Sequence, residues 1–94
     1  MKTVSKYPFK IDLGHVEMPK GAKILKAECY GYNNYWLWAL VDPAALTVKR
    51  AIRVYSTGQE IPDEDVGVYI NTINDSPYVW HVFDRGEIIS VKKL

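Results

Sequence analysis

Apolar side chains recur along this chain with a period of two. Tyr7, Phe9, Ile11 and Leu13 alternate with Lys6, Pro8, Lys10 and Asp12, the pattern of a half-buried strand. Pro8 lacks a ladder donor and the lysines blunt an exposed edge, so this segment is predicted to lie at the edge of a sheet. His15 to Lys20 runs through Pro19 and Gly21 and reads as a turn, and Ile24 to Tyr30 is a second extended segment. Tyr35 to Val41 is a third, Thr47 to Tyr55 a fourth, Val66 to Ile73 a fifth and Tyr78 to Phe83 a sixth. Asp84-Arg85-Gly86-Glu87 reads as a tight hairpin into a seventh, Ile88 to Val91.

No window of eleven or more residues keeps an apolar stripe at helical spacing free of Gly or Pro. Asp42-Pro43-Ala44-Ala45-Leu46 leaves room for one helical turn, with Asp42 as cap and Pro43 at the first position. The pattern therefore predicts an all-β domain spanning 1–94, a compact antiparallel β-sandwich or partly open small barrel of six to seven strands with at most one short helical turn. The polar connection 56–65 is the predicted mobile loop.

The third segment departs from simple alternation. Tyr35, Leu37, Ala39 and Val41 point one way, while Trp36, Trp38 and Leu40 point the other. A strand apolar on both faces needs cover on both. The domain's own core supplies one cover; the other is a turn or short helix, a curled second sheet, or another molecule. Trp36 and Trp38, two indoles on one face, are large enough to fill a small core and are equally good interface anchors.

Composition narrows the functional classes. With 94 residues, 48% hydrophobic and 13% aromatic, the chain is too apolar for a disordered tail and too short for a multidomain enzyme. Twelve Lys plus Arg against eleven Asp plus Glu leave a net charge of +1, too little for a general phosphate-backbone binder. Basic and aromatic side chains do interleave at Lys6-Tyr7, at Lys49, Arg50, Arg53 and Tyr55, and near Tyr30, Tyr32 and Tyr35, but nucleic acid is not the expected partner. The charge is uneven: residues 1–53 carry nine basic against four acidic side chains, and residues 54–94 carry three against seven. If the two halves occupy different surfaces, the resulting dipole steers a partner or pairs two copies.

Met1 to Lys6 is basic, but no apolar h-region follows, so no secretory leader is expected. The longest apolar run has seven residues, too few for a membrane-crossing helix. Cys29 is the only cysteine, which excludes an intramolecular disulfide and fits a reducing cytoplasm.

Candidate chemistry is sparse. Cys29, His15 and His81 are the only thiol and imidazole groups, with Asp84 or Asn71 available to orient a base. Nothing local poises Cys29, which reads as a small core residue, and His81 reads as a half-buried histidine donating to a carbonyl or carboxylate. The acidic group Glu60, Asp63, Glu64 and Asp65 lacks calcium-loop spacing and reads as a solvated loop, so no metal is expected. The six glycines stand singly, so no phosphate-cradling loop is predicted, and no cofactor is expected.

Five blocks occur in order: Tyr7-Pro8, Met18 to Leu25, Leu37 to Asp42, Thr57-Gly58 and Val79 to Phe83. As a set they resemble an uncharacterised family of short bacteriophage and prophage proteins built on P-x-G-A-K-I-L, L-W-A-L-V-D and V-W-H-V-F. The resemblance implies a phage accessory protein in the cytoplasm of an infected bacterium, acting on a host or defence protein without catalytic residues. Combined with the doubly apolar strand, it gives a protein-binding reading, with a homodimer as one form of it. The candidate contacts are Tyr32, Tyr35, Trp36 and Trp38, with Arg53 and Tyr55 beside them. The alternatives are a small-ligand or nucleotide-binding protein or enzyme with a pocket near His81, and a structural virion component.

Overall fold

The computed structural model describes residues 1–88. It contains seven strands: β1 (Thr3–Phe9), β2 (His15–Pro19), β3 (Lys23–Cys29), β4 (Tyr35–Val41), β5 (Thr47–Ser56), β6 (Val68–Asp75) and β7 (Tyr78–Glu87). The one helical element among the described residues is a 3-10 turn at Asp63–Asp65. Every strand pairing among the described residues is antiparallel. One sheet has three strands in the order β1-β4-β3, the other four in the order β2-β5-β7-β6. The all-β expectation is met, and β1, with Lys6 and Pro8, is an edge strand as its sequence predicts.

The core lies between the two sheets. β4 contributes Tyr35, Leu37, Ala39 and Val41, none more than 6% exposed. Opposite them the second sheet presents Val16, Met18, Ile52, Ile73 and Val82. Alternation selects these residues: β5 turns Ile52 and Val54 inward and Lys49, Arg53 and Tyr55 outward.

Two of the polar links between the sheets lie on the β3 side. The Asn71 side chain on β6 accepts from the Ala27 amide at 2.7 Å and donates to the Ala27 carbonyl at 2.9 Å. It acts as one more rung on the edge of β3 and joins the two sheets along that side, the partly open barrel of the sequence reading. At the other link, Arg50 grips Asp84 with Nε and Nη2 at 2.9 and 2.7 Å and donates from Nη1 to the Ala22 carbonyl at 2.7 Å. The Asp84 carboxylate raises the affinity of Arg50 for its proton, against the opposing effect of burial.

Four local expectations are corrected. His15–Pro19 is a strand rather than a turn: Val16 and Met18 are buried, and the edge position of β2 tolerates a terminal proline. The first strand ends at Phe9, and residues 10–13 turn through a Leu13 N to Lys10 O bond of 3.4 Å. Asp84 to Glu87 is no hairpin but the end of β7, where Arg85 is the extra residue of a bulge opposite Ala51 and Ile52. A positive-φ glycine serves a bulge as well as a turn, and Gly86, at φ +87°, serves the bulge. Ile88 follows β7 outside any strand, and the rest of the predicted Ile88–Val91 segment lies outside the described residues. Finally, Asp42–Leu46 forms no helix; Asp42 closes a single turn, accepting from Ala44 N through Oδ1 and from Ala45 N through its carbonyl, both at 3.0 Å.

The acidic connection is tied to the sheet. Arg85 pairs with Asp65 at 3.0 Å and donates to the Glu64 carbonyl at 3.2 Å.

Candidate binding surface

Register places three rows of side chains across the outer face of the three-stranded sheet. Val4, Leu40 and Lys23 form one, Lys6, Trp38 and Lys26 the next, and Pro8, Trp36 and Glu28 the third. Trp36, Trp38 and Leu40 are half-buried, and the second sheet packs on the opposite face. Part of the cover that the sequence demanded is therefore supplied by neighbouring side chains of the same sheet.

The Lys6 ammonium is the centre of this surface. Its Nζ lies 4.5 Å from the centre of the Trp36 ring, 5.7 Å from Trp38 and 5.9 Å from Tyr30, within cation–π range of all three. Each indole N–H has an acceptor at 2.6 Å, Asn34 Oδ1 for Trp36 and Glu28 Oε1 for Trp38. The Tyr30 hydroxyl donates to the same Glu28 oxygen at 3.0 Å, and Lys26 approaches Glu28 at 3.4 Å. The Tyr30 hydrogen bond is the leading cause that holds the Glu28 carboxyl below its ordinary pKa, with Trp38 and Lys26 adding to it. The reciprocal contact pushes the Tyr30 phenol upward. The result is a fixed aromatic floor with one cation seated in it and two further lysines, Lys23 and Lys26, at its β3 side.

The candidate residues read from sequence divide among four places. Trp36 and Trp38 lie on this face. Tyr35 is a core residue, 6% exposed, because it shares the inward parity of Leu37, and Tyr32, 90% exposed, sits in the loop between β3 and β4. Arg53 and Tyr55 are on the outer face of the other sheet, so they do not stand beside the tryptophans. There Arg53 bonds the Gly14 carbonyl, and Tyr55 packs edge-on against Phe83, which packs in turn against Tyr69. Lys6, Glu28 and Tyr30 are the contributors that sequence reading left out of the set. Alternation put Lys6 on an outward face, but only the β1–β4 register sets it over an indole.

The groups considered for catalysis are dispersed. Cys29 Sγ donates to the Gly31 carbonyl at 3.1 Å. His81 stands on the second sheet between two hydroxyls, Thr57 Oγ1 at 2.8 Å from Nε2 and Thr72 Oγ1 at 2.9 Å from Nδ1, rather than against a carbonyl or carboxylate. Asp84 is held by Arg50 and Asn71 by Ala27, so neither orients the imidazole.

The model of the family described as Domain of unknown function (DUF7352) matches residues 1–90. The chain belongs to this family. No curated protein and no solved structure matches it. Among the described residues, no helix of this DUF7352 chain is long and apolar enough to cross a membrane.

Proposed function

We propose that this chain works by binding another protein through the outer face of its three-stranded sheet, as a phage-type accessory protein that occupies a host or defence protein in the infected cell. One observation carries the reading: two tryptophans and a tyrosine are locked in place around the Lys6 ammonium on a face that the second sheet leaves uncovered. Rigid aromatic anchors lose little entropy on binding, which is why they dominate interface energetics. Lys6, Lys23 and Lys26 against the single carboxylate of Glu28 favour a partner that brings an acidic side chain together with apolar ones.

The test is capture from infected bacteria followed by affinity measurement with the purified partner, using the wild type, Trp36→Ala and Lys6→Glu, with solution mass measured alongside. A captured protein whose affinity falls about tenfold or more in both variants, while circular dichroism stays unchanged, supports the proposal. A dimer broken by the same variants identifies a second copy as the occupant. Binding indifferent to both substitutions overturns the assignment of this face.

A further inference from the structure

A different part of the molecule, away from the aromatic face, holds an open cleft. At one end of the sandwich three connections converge around this cleft of about 770 Å³. Lys10 to Asp12 come from the β1–β2 connection, Tyr32 and Asn33 from the β3–β4 connection, and Asp75 to Tyr78 from the β6–β7 turn, with Tyr35 and Trp80 at the base. The volume falls within the ~300–1,000 Å³ typical of small-ligand sites.

The base of the cleft is built from aromatic groups held in fixed positions. Tyr35 donates its hydroxyl to Asp75 Oδ2 at 2.5 Å, and the Trp80 indole N–H reaches the same oxygen at 3.4 Å. Tyr78 stacks on Trp80, with ring centres 5.4 Å apart and planes 19° from parallel. Tyr78 is nevertheless 56% exposed, so a large part of its ring stays accessible beside the indole. Across the cleft, Tyr32 projects from its loop at 90% exposure. Asn33 beside it holds φ +56°, a left-handed conformation that asparagine accepts.

The chemistry of the lining selects the ligand. Its charged groups are one ammonium, Lys10, and two carboxylates, Asp12 and Asp75. A phosphorylated ligand would meet more negative than positive charge here, which favours an uncharged ligand over a nucleotide. A quaternary ammonium is served by rings that face one another around the cation, whereas Tyr78 and Trp80 lie nearly parallel and present a single flat platform. Such a platform suits a ring with polarised C–H groups on its face, which meet the negative face of an aromatic ring. Carboxylates and an amide at the rim suit hydroxyl groups at the edge of the same ring, since a carboxylate accepts and an amide both accepts and donates. Asp75 Oδ1 carries no hydrogen bond to the protein among the described residues and is free to take one.

We infer that this end cleft binds an uncharged saccharide, one ring stacked on Tyr78 and its hydroxyls bonded by Asp12, Asn33 and Asp75. The test is an amide-shift titration of the whole chain with a panel of neutral disaccharides at millimolar concentration, with adenosine and AMP as comparison probes. The expected result is that a disaccharide moves the amides of the three converging connections while those of Lys6, Trp36 and Trp38 stay in place. Tyr78→Ala should weaken that binding about tenfold, the loss of one stacking platform. Asp12→Asn, an exposed and nearly isosteric change, should weaken it without altering the fold. If no disaccharide moves these amides, if AMP or adenosine moves them in preference, or if Tyr78→Ala and Asp12→Asn both bind as the wild type does, the inference is overturned.

Discussion

The Tyr35 hydroxyl donates to Asp75 Oδ2 at 2.5 Å, joining the first residue of β4 in one sheet to the last residue of β6 in the other. Burial first, and the bond to Asp75 second, push the Tyr35 phenol from its ordinary value of 10.0 up to about 12. A neutral phenol is therefore part of the folded state. Its raised pKa contributes stability that is fully present below pH 10 and is lost as pH rises through about 12. Urea denaturation of the wild type should show this loss on going above pH 10, and Tyr35→Phe should show much less of it. At neutral pH the Phe variant should be destabilised by about 1–3 kcal/mol, because Asp75 keeps only the longer bond from Trp80.

Breaking the Arg50–Asp84 pair should be expensive. Both side chains are largely buried, at 13% and 14% exposure, and the contact is two-pronged. Asp84→Ala leaves a guanidinium facing the interior and should cost about 3 kcal/mol or more in chemical denaturation. The double variant Arg50→Met, Asp84→Leu should recover much of that loss, and a double-mutant cycle on the two positions measures the coupling.

Gly67 should not accept a side chain. Its φ is +71°, and a Cβ there would sit 2.6 Å from the Asp84 carbonyl oxygen. Gly67→Ala should lower the urea midpoint by the equivalent of about 1–3 kcal/mol, with hydrogen-exchange protection lost first around β6 and the facing end of β7.

Neighbouring residues of β4 should respond differently to truncation. Leu37 is fully buried, so Leu37→Ala should cost about 2–5 kcal/mol, a large share of the stability of so small a domain. Trp36 rests on the outer face against Lys6, and Trp36→Ala should cost less than Leu37→Ala while leaving a folded protein by circular dichroism. Equal losses at both positions would place Trp36 in the core and remove the basis for a binding face.

The period of two in the sequence was enough to establish the all-β class, the edge character of β1 and the bounds of β4, because alternation is local and proline and glycine punctuate it. It also put Leu37 and Trp36 on opposite faces, but packing of the second sheet decided that the Leu37 face is the buried one. Where the same local signal has two uses it misled: Gly86 serves a bulge and not a turn, and Pro19 with Gly21 obscured the buried alternation of Val16 and Met18. What only the tertiary structure decided is which strands become neighbours. Strand pairing is non-local, so nothing within β5 tells whether Arg53 and Tyr55 will share a sheet with Trp36, and they do not. The same holds for Lys6 over Trp36 and for Tyr35 against Asp75: each side chain's outward or inward parity is written in its own strand, but its partner is set by how segments far apart in the chain come together.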